Sequence, residues 1–356
     1  MKRQIFSIVI TLLVFNCLLG QNKSVIIGQK DTIFSKILGE KREIIVHVPK
    51  HGDVNKRYPV LYLLDGSWHF SAVVGILDQM SYINGNTKCP EMIVVGIPLN
   101  DRFKDLTSSC DTSYSKTSGG FEKFISFVKE ELFIYIDSLY PTAPYKMFVG
   151  HSLAGLAVMN TLAHHQDAFN SYIAIDPSIW WDNQRFLNDS NPILSKSIPS
   201  DKSIFLAVAN TMVSGMDTTK VRGETGRNSI HIRSILQLKD TLESLNGKSM
   251  NFKYKFYTDE NHASVPLISI YDGLRKIFDF YDFSLTRIDF EDPKFLAGQK
   301  IVDHYLRISK IMGYEIKPSK DLLLSWSMNA EFLKNPEALA FCRKLIDLYY
   351  PPKTIK

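Results

Sequence analysis

Between Tyr58 and Phe280 the chain repeats one unit: a short apolar run, a turn signal, then an amphipathic stretch. No other feature restricts the fold as much. Strands that alternate with helices are joined by right-handed crossovers into a mostly parallel sheet covered on both faces. Pro59–Leu64 is almost wholly apolar and stops at Asp65-Gly66, and Met92–Ile97 stops at Pro98. Uninterrupted runs of this kind suit strands buried on both sides. Tyr145–Val149, Ser171–Ile175, Ser203–Val208 and Phe252–Tyr257 read as four further strands. Apolar residues at helical spacing fill Phe121–Leu139, Leu153–His164, Ile230–Leu245 and Pro266–Phe280.

The fold class is therefore α/β, with a doubly wound or α/β-hydrolase architecture over residues 25–285. A hairpin opens it, Thr32–Leu38 and Arg42–Val48 about the turn Gly39-Glu40-Lys41. From about Phe290 the strands stop. Phe295–Met312, Lys320–Phe332 and Pro336–Tyr349 read as a small all-α extension over 290–356, with Ile301, Tyr305, Ile308 and Met312 facing the α/β unit. A chain of 356 residues has room for one large core and such an appendage.

Lys2 and Arg3 precede an apolar run from Ile5 to Leu19, then Gly20 and polar sequence. This reads as a signal peptide over 1–20, too short for a membrane span, and places the protein in the periplasm or outside the cell. Beyond it lie Cys89, Cys110 and Cys342, which are neither a disulfide scaffold nor a zinc site, although Cys89 and Cys110 could pair in an oxidising compartment. The charge of +5 is spread along the chain. No basic block suggests nucleic acid, and no later stretch could cross a bilayer.

The chemistry centres on Gly150-His151-Ser152-Leu153-Ala154-Gly155, set between a strand and a helix. A sharp strand-to-helix turn strains its central residue and lifts the serine oxygen above the sheet edge, with small residues two positions either side. The helix start aims amide N–H groups at a developing oxyanion. Ser152 is thus a candidate nucleophile. His262 lies between the last strand and the last helix of the α/β unit, where this order places a base; His151 should point away from Ser152 across the turn. The acid belongs after Ser203–Val208, with Asp217 first and Glu224 second. Asp176 and Asp182, after the preceding strand, are less usual sources. Leu153 and Ser67 are the expected oxyanion donors. Trp180, Trp181 and His69 are candidate pocket-lining residues, the two tryptophans equally readable as packed lids. No metal or organic cofactor is called for.

Tyr62-Leu63-Leu64-Asp65-Gly66, Asp101-Arg102-Phe103-Lys104-Asp105-Leu106-Thr107, Gly150-His151-Ser152, Ser178-Ile179-Trp180-Trp181 and Asn261-His262-Ala263-Ser264-Val265-Pro266 together resemble the putative-esterase family of α/β-hydrolases, which includes esterase D-like enzymes, siderophore esterases and mycolyltransferases. The resemblance spans about residues 30–283. It implies Ser152 as nucleophile, His262 as base and Leu153 with Ser67 as oxyanion donors. Two departures stand out: Ala154 where glycine is commoner, and Asn210 where siderophore esterases usually carry a Gly-Glu pair. The expected activity is serine-dependent hydrolysis of a small-molecule, glycan or siderophore-like ester. Acyl transfer by the same residues, or a retired hydrolase that only binds, are the alternatives.

Overall fold

The computed structural model describes residues 25–49, 56–194, 201–245 and 250–351. The segment read as a signal peptide lies outside them. Eight strands form one sheet in the order β1-β2-β4-β3-β5-β6-β7-β8. They are β1 (Gln29–Ser35), β2 (Glu40–His47), β3 (Tyr58–Leu64), β4 (Ile93–Ile97), β5 (Thr142–His151), β6 (Ser171–Ile175), β7 (Ser203–Ala209) and β8 (Asn251–Tyr257). β1 pairs with β2 and β2 with β4 antiparallel; every later pairing is parallel. The apolar runs are central as their composition requires. Every residue of β3, β4 and β6 is buried. β8 lies at the edge and carries Lys253, Tyr254 and Lys255 in its middle, polar and partly exposed, which blunts further pairing.

On one face lie α1 (Gly66–Ser81) and α8 (Val265–Ile277), whose Val73, Leu77, Ile270 and Leu274 close over Leu61, Val94, Met147 and Phe205. The other face takes α3 (Phe121–Phe127), α4 (Phe133–Leu139), α5 (Leu153–His164), α6 (Trp181–Leu194) and α7 (Ile230–Leu245) over Tyr62, Val95, Phe148 and Leu206. A π-helical turn, Val128–Leu132, joins α3 to α4 where the sequence reads as one helix. The short α2 (Arg102–Leu106) is capped by Asp101, whose carboxylate accepts from the Phe103 and Lys104 amides.

Four helices, α1, α2, α6 and a further one, α9 (Arg287–Glu291), lie where the sequence reading places none. α1 begins directly at the Asp65-Gly66 turn, and its Gly75 and paired valines weaken the helical signal. α6 contains Pro192, and Asp182, Asn183 and Gln184 have φ of 45°, 53° and 63°, a left-handed turn that no propensity argument anticipates. α9 is closed by a capping box between Thr286 and Asp289.

α10 (Ala297–Met312), α11 (Lys320–Phe332) and α12 (Pro336–Tyr349) follow. Ile301, Leu323, Trp326, Ala338 and Leu345 form a core of their own, and Met312 joins the main core with Tyr314 and Ile316 packed beside it. The extension is thus partly self-packed instead of lying wholly against the sheet. Cys89 is buried, Cys110 exposed and both are free, so the considered disulfide is absent. Among the described residues no helix is long and apolar enough to cross a membrane.

Gly66 fixes where α1 starts. A Cβ there would lie 2.6 Å from the backbone of Gly96 and Ile97, and neither can move without breaking β4. Gly66→Ala is expected to cost at least 1–3 kcal/mol, the range for overpacking a tight core. A guanidinium melt showing an unchanged midpoint would contradict this.

Candidate active site

In a parallel sheet the C-terminal strand ends share one edge, and loops leaving them converge above it. β3, β5, β6 and β8 each deliver one part of the site there. At the end of β5, Ser152 has φ 62° and ψ −119°, the strained elbow expected of this motif. Gly150 makes the turn possible: a Cβ on it would lie 2.4 Å from the Ala154 carbonyl oxygen. Ala154 itself is buried and accommodated, so its departure from glycine leaves the elbow intact. The Ser152 amide donates to Ile175 O at 3.0 Å, and its carbonyl accepts from Ser178 N at 3.0 Å, which binds the elbow to the end of β6.

His262 Nε2 lies 3.0 Å from Ser152 Oγ. A self-contained turn presents it: Asn261 Oδ1 accepts from the Ala263 and Ser264 amides, while Ser264 Oγ accepts from Asn261 N. Asn210, at the end of β7, ties this loop down. Its side chain donates to Thr258 O and its backbone N–H to Glu260 O.

The carboxylate on His262 belongs to Asp176, with Oδ2 2.6 Å from His262 Nδ1. This corrects the expectation of Asp217 or Glu224. Asp217 accepts from the Thr219 and Lys220 amides of its own turn and is exposed. Glu224 lines a separate cleft with Met212 and Arg227. The position after β7 is taken by an amide side chain, Asn210, and the carboxylate that meets His262 comes from the end of β6, one strand nearer Ser152. Asp176 has φ 38° and is fully buried. Its Oδ1 accepts from Ala209 N at 2.9 Å, and its Oδ2 also receives His231 Nε2 at 2.8 Å. Burial pushes the Asp176 carboxyl pKa up, but the hydrogen bonds from His231 and His262 outweigh it and hold the group ionised, well below the usual carboxylate range.

An ionised carboxylate only accepts. His262 therefore carries its proton on Nδ1, and its Nε2 lone pair faces the Ser152 hydroxyl. Asp176, His231 and His262 also form a set with the right atoms for a metal. However, atoms sharing a zinc ion at about 2.0–2.1 Å sit ~3.3 Å apart. The separations of 2.6 and 2.8 Å fit shared protons instead.

Leu153 is the first residue of α5, and Ser67 the second of α1. Amides in a helix's first turn have no intrahelical acceptor, so both starts carry N–H groups of this kind at the ends of the neighbouring strands β3 and β5. The α1 start is braced by Asp65, buried at φ 53°, whose carboxylate holds Arg102 through bonds of 2.7 and 2.9 Å. Arg102 also lies over the exposed Trp68 ring, 5.2 Å from its centre.

Of the candidate pocket residues, Trp181 is buried, donates to Ser109 O at 3.3 Å and packs on Phe103. Its position is that of a packed lid. Trp180 keeps a partly exposed face and rests on Tyr114, ring centres 5.1 Å apart. His69 is half-buried, with its ring 6.2 Å from that of His151. The His151 ring lies 4.5 Å from the His262 ring and so flanks it. Burial, then the neighbouring His262 charge, lowers the His151 pKa to about 4. Two site residues carried no sequence signal of their role: Ser178, with Oγ 3.2 Å from Ser152 Oγ, and His231 in the first turn of α7.

The chain as a whole resembles known proteins. The chain is 23% identical over 248 residues to a siderophore enterobactin esterase of Emericella nidulans, covering 60% of this chain and 80% of that protein. It is 26% identical over 241 residues to the ferri-bacillibactin esterase BesA of Bacillus subtilis, covering 61% and 78%. A crystal structure described as an IroE-like serine hydrolase from Shewanella oneidensis aligns with a TM-score of 0.75 at 27% identity, over 90% of this chain and 99% of that one. Residues 35–225, more than half of the 356, match the family described as Putative esterase. The chain belongs to this esterase family, on an α/β-hydrolase fold.

Proposed function

We propose that this esterase is an exported serine hydrolase that opens a siderophore-like carboxylic ester through an acyl-enzyme. The observation that carries the reading is the run of hydrogen bonds from Ser152 Oγ through His262 to the buried Asp176. Ser152 Oγ attacks the ester carbonyl carbon as its proton passes to His262 Nε2. The negative charge on the former carbonyl oxygen is met by the Leu153 and Ser67 N–H groups, aligned before the reaction begins. Asp176 stabilises the imidazolium through Nδ1–H. When the tetrahedral intermediate collapses, the ester C–O bond breaks and the alcohol leaves with the proton from His262. Water, activated by the same histidine, then releases the acid and restores Ser152.

The substrate class is supported by the relatives, whose names give esters of enterobactin, bacillibactin and triacetylfusarinine C as their targets. The Arg102 cation with its Trp68 face, and the Trp180–Tyr114 pair beyond Ser178, suit an aromatic, electron-rich acyl group. Export rests on Lys2, Arg3 and the apolar run that follows.

Rapid mixing with a p-nitrophenyl ester should release one nitrophenolate per protein before the slower steady state, and a cyclic catecholate trilactone should be cut to linear products. Failure to turn over either class of ester would remove the proposal.

A further inference from the structure

Asp176 Oδ2 accepts two imidazole N–H groups, and only one of them belongs to the base. His262 is about two-fifths exposed and sits on a loop, whereas His231 is half as exposed and held on a sixteen-residue helix. If His262 were its only partner, the inner carboxylate oxygen would be fixed by the residue it is meant to fix. Ala209 N holds Oδ1 and His231 Nε2 holds Oδ2, so the carboxylate keeps its place whatever His262 does.

We infer that His231 is a second positioning histidine, which locks Asp176 and moderates the carboxylate's pull on His262. The inference rests on the reading of Ser152, His262 and Asp176 as nucleophile, base and acid. Because Asp176 only accepts, His231 must bear its proton on Nε2. Its Nδ1 is buried with no hydrogen-bond partner among the described residues, so the Asp176 contact is the ring's polar anchor. The second donor has a chemical effect as well as a geometric one. An oxygen that already holds one N–H is a weaker base towards the next, so the proton taken from Ser152 stays on His262 and is not drawn on to Asp176.

The titratable groups facing His262 are Asp176 from β6, His151 from β5 and His231 from α7, with Asp259 and Glu260 on its own loop. His151, held near 4, stays neutral through the range in which an ordinary imidazole titrates. Removing the His231 donor leaves more of the carboxylate's charge to His262, favours the imidazolium, and raises the pKa on which activity depends.

The test is the pH profile of kcat/KM on a soluble p-nitrophenyl ester for wild type, His231→Phe and His231→Gln, with active sites counted by a fluorophosphonate. His231→Phe fills the space without a donor. It is expected to lower kcat on the order of tenfold per titrated site, with KM nearly unchanged, and to move the acid limb up by about half to one pH unit. His231→Gln keeps an N–H donor and should recover most of both. A purely structural role would reduce the count of labelled sites and leave the acid limb in place. An unmoved limb in a wild-type-labelling background overturns this inference alone. Absence of wild-type labelling overturns the esterase reading with it. A second measurement needs no variant: nitrogen-15 histidine NMR of the wild-type protein should show His231 protonated at Nε2, and an Nδ1–H form would overturn the proposal.

Discussion

Asp176→Asn lowers kcat for ester hydrolysis by about 10³–10⁴-fold, while Asp217→Asn and Glu224→Gln stay within about twofold of wild type. The asymmetry follows from where the three carboxylates sit. Asp176 is buried and gives one oxygen to His262 Nδ1 and His231 Nε2 together. An amide in its place offers one acceptor oxygen and one donor NH₂. With Ala209 N still needing an acceptor at the Oδ1 position, the NH₂ turns towards the two histidines. His262 then has to accept at Nδ1 and carry its proton on Nε2, so it cannot take one from Ser152. Asp217 and Glu224 have no such connection to the base. Steady-state kinetics on purified variants with confirmed melting temperatures decide it. Equal losses at Asp176 and Asp217 would contradict the assignment.

Ser152→Ala removes the oxygen proposed to attack the ester, and kcat is expected to fall by about 10⁵–10⁶-fold, leaving only the contribution of the oxyanion donors and binding. The fold should survive, because the side chain's two bonds, to His262 and Ser178, lie at the open edge of the sheet. The strain at φ 62° remains in the alanine variant and is released in Ser152→Gly. The glycine variant should therefore melt above wild type, by the equivalent of about 1 kcal/mol or more, while equally inactive. A Ser152→Gly protein that melts below wild type would mean that the elbow is not strained. Residual hydrolysis by Ser152→Ala above a few per cent would mean that another group attacks the ester.

The sheet was legible because its central strands are buried on both faces and so carry unbroken apolar runs. Pro59–Leu64 and Ser171–Ile175 correspond to β3 and β6 almost residue for residue. The meeting of Ser152 with His262 was legible for a local reason: each sits in a turn its neighbours dictate, Gly150 for one and Asn261 with Ser264 for the other. The carboxylate that meets His262 was not legible, because its position depends on tertiary context. Nothing in Ile175-Asp176-Pro177 announces that Asp176 adopts a left-handed backbone under two histidines, and the expected position after β7 holds Asn210, which braces the histidine loop instead. His231 was invisible for the same reason, since a single histidine at a helix start has no spacing to mark it. The α1 helix was missed because Gly66, Gly75 and adjacent valines suppress its propensity, and packing of Phe70, Val73 and Leu77 makes up the difference.

The central claim is that Ser152 is the nucleophile, activated through His262 by Asp176. Its most direct test is to treat the purified protein with a fluorophosphonate and map the adduct by peptide mass spectrometry, across wild type, Ser152→Ala, His262→Ala and Asp176→Asn. The expected result is one adduct per chain on Ser152 in wild type, none in Ser152→Ala, and labelling slowed by orders of magnitude in the other two. An adduct on another residue, or labelling of wild type no faster than of His262→Ala, would contradict it.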